Sequence, residues 1–161
     1  MTYVNIQDLT HMKHFASFIT AALAIAMPLL AATPEQEKAF VDSYKKALEA
    51  GDKKALAAFL YTEGAQTEQI EFFKMMQEVE PGAKVASIEL VTPSAADAEK
   101  FNKPMTMPDG KSYVMGLQPT KQLVGVFEKK DGDSSSKSTR KSPVAEKNGK
   151  LVIPVPAPAK K

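Results

Sequence analysis

The sequence predicts an α+β protein in which N-terminal helices pack on a curved, mainly antiparallel sheet of four to five strands. Three observations predict it. Between residues 34 and 80 the apolar residues recur at helical spacing. From residue 84 onward they alternate in short runs separated by turn residues. Ahead of both lies an apolar stretch, 15–30, that belongs to neither pattern.

That stretch follows Met12-Lys13-His14 and ends at Ala31-Ala32. A short basic start, an apolar middle and small residues at the end predict a secretory signal peptide over 12–32. Ser17, Thr20 and Pro28 interrupt the run, which falls short of the roughly 20 apolar residues of a spanning helix. An uncleaved N-terminal anchor is the alternative, and the only membrane attachment expected. No cysteine follows the run, which excludes bacterial lipid attachment. Asp8 has the wrong charge for a signal's start, so residues 1–11 are expected to be a mis-assigned extension, with Met12 the initiator. The expected location is periplasmic or secreted.

Composition narrows the chemistry. The remaining piece, 33–161, suits one domain with its own core. Of 21 basic and 19 acidic residues, only Lys13 and Asp8 leave with the first 32, so the charge stays near neutral. Arg140 is the only arginine. Nucleic-acid readers favour arginine for bidentate contacts, so no nucleic-acid partner is expected. Removing the signal also removes both histidines, and the chain has no cysteine or tryptophan. Packing alone must hold it, without disulfides.

Thr33-Pro34-Glu35-Gln36 reads as a capping box with proline in the first turn. Phe40, Tyr44, Ala47 and Leu48 then share a helix face, which Gly51 ends. Asp52 caps a second helix carrying Ala55, Leu56, Phe59 and Leu60. Thr67 can cap a third carrying Ile70, Phe73, Met76 and Val79, stopped by Pro81-Gly82. In 84–91 a strand alternates Ala86, Ile88 and Leu90 on one side. Residues 94–101 fit a short helix or a loop, and Pro108-Asp109-Gly110-Lys111 a turn. Strands follow at 112–117 and 121–129. The second should be central, because Leu123 and Phe127 point one way and Val124 and Val126 the other; Gly125 permits a bend. Residues 131–136, DGDSSS, form a polar turn. Strands at 139–146 and 150–155 flank the hairpin signal Lys147-Asn148-Gly149. Pro154, Pro156 and Pro158 oppose central pairing, so 156–161 reads as a proline- and lysine-bearing tail. A bent sheet on a long helix makes a cone with an open mouth and a central pocket. Phe40, Phe59, Phe73 and Phe127 could fill it, which would leave no room for a ligand.

In three stretches the chain resembles nuclear transport factor 2-like domains, the cone-shaped α+β superfamily. They are the helical AFVDSYKKALEAGDKKALAAFLY, the strand KVASIELV, and the meander SYVMGLQP, LVGVFEKK, SPVAEKNGKLVIPVPAP. The likeness covers 34–155 and places one such domain at 33–155, most similar to small exported bacterial proteins without assigned activity. It implies a pocket and no particular reaction, because the superfamily hosts isomerases, dehydratases, cyclases and non-enzymatic binders. Its ketosteroid isomerases pair a pocket Asp with a Tyr donor. No position here matches that pairing residue by residue.

Each chemical candidate is weighed against a plain structural role. No cofactor and no metal is expected. Asp131 and Asp133 flank Gly132 like a fragment of a calcium loop, but serines follow where ligands belong. Ser87 with Lys84, or Ser112 with Lys111, could form a Ser–Lys pair, without context to distinguish them. Carboxylate–tyrosine chemistry could draw on Tyr44, Tyr61, Tyr113, Asp42, Glu63 and Glu89, of which Tyr61 and Glu63 are the catalytic pair if the protein is an enzyme. Tyr44 reads as core and Glu89 as a solvent-facing strand residue. The candidate ligand-binding set is Tyr61, Glu63, Met105, Met107, Tyr113 and Met115. Met105 and Met107 lie between prolines, where methionine adapts to irregular apolar surfaces. Lys129, Lys130, Lys137, Arg140, Lys141, Lys147 and Lys150 crowd the last hairpins, where edge protection is the first reading and binding of an anionic partner the second. The leading expectation is a non-catalytic exported domain binding a small apolar or amphipathic ligand or an envelope protein, with a homodimer admitted. A lyase or isomerase is the second, and an anion-binding surface protein the third.

Overall fold

The computed structural model describes residues 32–106 and 110–159; the expected signal and start extension, except Ala32, and Met107 lie outside them. Helix α1, Pro34–Ala50, starts as its sequence demands. Thr33 Oγ1 accepts from the Gln36 N–H at 3.3 Å, and Gln36 Oε1 accepts from the Thr33 N–H at 2.8 Å. Gly51 ends it in the left-handed region, with N–H bonds from Gly51 to Leu48 and from Asp52 to Ala47. Asp52 Oδ1 accepts from the Ala55 N–H at 2.9 Å and opens α2, Lys53–Ala57. Phe40, Tyr44, Ala47 and Leu48 form the buried face of α1. Phe59 meets Phe40 and Tyr44 edge-on, with centroids 5.3 and 5.2 Å away. Each large side chain buried there contributes about 1.5–3 kcal/mol.

The fold is α+β. The remaining elements are β1 (Leu60–Tyr61), α3 (Thr67–Met76), β2 (Ala83–Val91), α4 (Ala95–Asn102), β3 (Met105–Thr106), β4 (Ser112–Met115), β5 (Lys121–Asp131), β6 (Ser134–Lys147), β7 (Lys150–Pro154) and β8 (Pro156–Pro158). A mainly antiparallel open sheet has the order β1-β7-β6-β5-β2, and a smaller one the order β3-β4-β8. Only β1 and β7 run parallel. As expected from its two apolar faces, β5 is internal, between β2 and β6.

Several details depart from the sequence reading. The cap of α3 is Gln66 rather than Thr67, and its side chain makes no capping bond. The buried stripe of α3 is not Ile70-Phe73-Met76: Gln69 and Gln77 are buried, while Phe72, Met75 and Met76 are 42, 61 and 51 % exposed. Strand β2 carries a bulge between Val85 and Ser87, so Ala86 turns outward and Val85 joins the face of Ile88 and Leu90. Residues 94–101 resolve as helix α4, capped by Ser94 Oγ accepting from the Asp97 N–H. The polar DGDSSS segment turns only at Gly132-Asp133, and its serines extend the β5–β6 ladder. Asn148 and Gly149, both at positive φ, make the expected two-residue hairpin.

The three late prolines have a positional logic. Lys150 and Val152 face β6, the partners of Lys147 and Ala145. Residues two, four and six further on point the same way, where β6 is no longer a partner. These are Pro154, Pro156 and Pro158, which have no N–H to leave unpaired. The intervening residues pair on the opposite side: Ile153 donates to Phe59 O, Val155 to Tyr61 O and Ala159 to Ser112 O. Residues 156–158 are therefore a strand on β4, and Pro154 and Pro156 are fully buried. The chain leaves β6 without orphaned donors at the prolines, and a gap opens beside residues 140–143 of β6.

A candidate ligand cleft

The space beneath α1 is closed. Between Tyr44, Ile88, Leu123 and Phe127 a void of about 10 Å³ remains, near the lower limit for one water. Phe40, Phe59 and Phe127 fill this region as expected, but Phe73 does not.

Phe73 lines a cleft of about 480 Å³ at the gap where β7 turns away from β6. Residues 140–143 of β6 form one wall, and the ends of α3 and α4 with Met105 and Met115 form the others. Its apolar surface comes from Phe73, Met76, Phe101, Met105, Met115 and Ile153. Its polar groups among the described residues are Gln77, Ser142 and four cations, Lys100, Lys103, Arg140 and Lys141, with no acidic side chain among them.

Arg140 is built in from below. It lies opposite Gly125 on β5. A Cβ at Gly125 would meet Phe127 Cε2 at 3.0 Å and Ile88 Cδ1 at 3.1 Å, so the missing side chain lets the Phe127 ring lie back. The guanidinium sits over that ring, 4.9 Å from its centroid. Its Nη2 donates to Glu78 O at 2.7 Å, at the end of α3, while Nη1 is buried with no partner. Burial raises the Tyr44 hydroxyl's pKa, and the neighbouring Arg140 opposes that shift. Beside Glu78, Gln77 is 4 % exposed, and neither end of its amide has a partner. The rim lysines differ. Lys141 pairs with Asp97 at 3.0 Å and Lys103 with Glu99 at 2.6 Å. Lys141 and Ser94 hold the Asp97 carboxyl below its ordinary pKa.

The residues singled out in the sequence scatter. Met105 and Met115 line the cleft. Tyr113 is fully buried on β4, where Gln69 Nε2 donates to its hydroxyl at 3.0 Å and the hydroxyl lies 3.3 Å from Gln66 Oε1. Tyr61 and Glu63 do meet: the tyrosine hydroxyl donates to Glu63 Oε2, which raises the tyrosine's pKa. Lys147 lies over the ring and 4.0 Å from the carboxylate, and Glu63 is solvent-exposed. Asp42 pairs with Lys38 on the outside of α1, and Glu89 is exposed. Ion pairs spread the hairpin lysines: Lys129 with Glu80, Lys137 with Glu128 and Lys147 with Glu63. Among the described residues no cluster of three metal-binding side chains occurs, and no helix is long and apolar enough to cross a membrane. Gln77 and Phe101 were not legible as a site, and Arg140 was legible only as one of the cations that crowd the last hairpins.

Compared with protein-family models, curated proteins and solved structures, the chain matches none of them.

Proposed function

We propose that this protein is a non-catalytic domain, acting outside the cytoplasm once its signal is removed, that holds a small amphipathic ligand in the cleft between α3, α4 and β6. The observation that carries this reading is the cleft itself. Its volume of about 480 Å³ falls in the range of small-molecule sites, and apolar walls with a few convergent polar groups are their usual chemistry. The nuclear transport factor 2-like resemblance implies a pocket inside the cone, where the space beneath α1 is filled, so the cleft carries this reading alone. Binding is favoured over carboxylate–tyrosine catalysis because among the described residues no acid lines the cleft, and the Tyr61–Glu63 pair lies outside it with Glu63 exposed. Titration with the neutral apolar dye N-phenylnaphthylamine tests it. Met76 is 51 % exposed and lines the cleft, so Met76→Glu should leave the fold intact and weaken dye binding. Unchanged dye affinity would remove the cleft as the site. Native mass spectrometry of protein from its own envelope would then show whether a small molecule or a protein co-purifies.

A further inference from the structure

We infer that the ligand held in this cleft is a carboxylate with an apolar body, its head group taken by Arg140 and Gln77; this rests on the binding reading above. Charge is the first reason. Among the described residues four cations and no acid line the cleft. Two of the rim lysines already have carboxylate partners within 3.0 Å. Among the described residues Arg140 has no acidic partner, although it is partly buried. Capping the end of α3 accounts for Nη2, bonded to Glu78 O, and leaves Nη1 unexplained.

The second reason is independent of charge. A buried amide with both ends unpartnered is costly, and Gln77 is such an amide in the cleft wall. Glu78, whose carbonyl Arg140 holds, is the next residue along the chain, and Gln77 and Arg140 both line the cleft. An unpartnered guanidinium nitrogen and an amide NH₂, both sealed from solvent in the free protein, would match the two oxygens of a carboxylate once the cleft wall shifts to admit it. A phosphate ester would need donors from the rim lysines as well, two of which already hold carboxylates. Phe73, Phe101, Met105 and Met115 would take the body, and methionine tolerates varied shapes.

Matched probes test this on the full-length exported protein, by calorimetry or displacement of the neutral dye. Decanoate, decanol and decylamine share a tail and differ in the head. Decanoate is expected to bind at least about tenfold tighter than decanol, the usual scale for a hydrogen bond to a charged group, and decylamine weakest. Arg140→Gln should erase that preference while leaving decanol affinity in place. If that variant fails to fold, Gln77→Met should still lower decanoate affinity selectively. Equal binding of decanoate and decanol overturns the carboxylate assignment and leaves the binding reading standing. Failure of all three probes and the dye overturns both. A preference lost with Lys100→Gln plus Lys141→Gln but kept in Gln77→Met moves the head group to the rim and overturns the assignment to Arg140 and Gln77.

Discussion

Gln77→Met should make the protein more stable. The side chain is 4 % exposed, and neither Nε2 nor Oε1 has a partner. Burying an amide without hydrogen bonds costs about 1–3 kcal/mol on the scale set by protein mutations. Methionine is unbranched and of similar length, so it can fill the same space, and its side-chain entropy loss on burial is comparable. Phe73 and Met76, on the same stretch of α3, are already apolar neighbours around the cleft. The backbone is undemanding: residue 77 caps α3 in the right-handed helical region, which methionine adopts freely. The substitution should therefore stabilise by about 1–3 kcal/mol. With a urea slope of about 1–3 kcal/mol per molar, that raises the midpoint by roughly 0.3–3 M, with the slope unchanged. Far-UV circular dichroism during a urea titration measures both. A midpoint lowered by the substitution would refute the reasoning, because the amide would then be bonded, through ordered water, in the free protein.

Other consequences follow from the same geometry. Gly125→Ala would drive a Cβ to 3.0 Å from Phe127 Cε2 and 3.1 Å from Ile88 Cδ1, so it should destabilise by about 1–3 kcal/mol in a urea titration. Pro156→Ala introduces an N–H on the side of the strand that β6 has left, at a fully buried residue. It should cost about 1–3 kcal/mol and lower the midpoint without changing the slope. The alkaline limit of stability should involve Tyr44 and Tyr61. Burial raises Tyr44, and the bond to Glu63 raises Tyr61, both above the ordinary 10.0. The unfolded chain then releases those protons first, so stability is complete below that value and is lost as pH rises through the folded-state pKa values. Urea midpoints across the alkaline range should fall accordingly. Glu63→Ala should bring tyrosinate absorbance of Tyr61 on at lower pH; an unchanged curve would remove the Tyr61–Glu63 bond.

The helical half was legible because its signals are local. Thr33, Gln36, Gly51 and Asp52 each satisfy a backbone group within five residues, and the structure uses all four that way. Asn148-Gly149 was legible for the same reason, since a two-residue turn needs two positive φ angles in sequence. What failed were readings that assume an unbroken period. Alternation in 84–91 put Ala86 inside, and one extra residue at the bulge reversed it. Helical spacing in α3 put Met76 inside, but the stripe facing the second sheet runs through Gln69, whose amide meets Tyr113 across a separation of 44 residues. No window of sequence contains that pairing.

The cleft sits where regularity stops. If β7 had stayed beside β6 along its length, residues 140–143 would have been covered by a ladder. The prolines at 154, 156 and 158 prevent that ladder and leave no exposed donors behind. The gap is then walled by the unpaired part of β6, and the residue placed there is the chain's one arginine, over a ring that Gly125 makes room for. Lysine at 140 would keep the charge. It would lose the planar fork that stacks on Phe127, bonds Glu78 O and still has a second nitrogen to offer. A position meant only to cap α3 needs one donor; a position meant only to protect an edge needs charge in solvent. Arg140 exceeds the first and, being partly buried, does not do the second. Arg140→Lys should therefore lose most of any preference for a carboxylate, with a smaller effect on the urea midpoint. A lysine variant that keeps the full preference would show that charge alone selects the ligand.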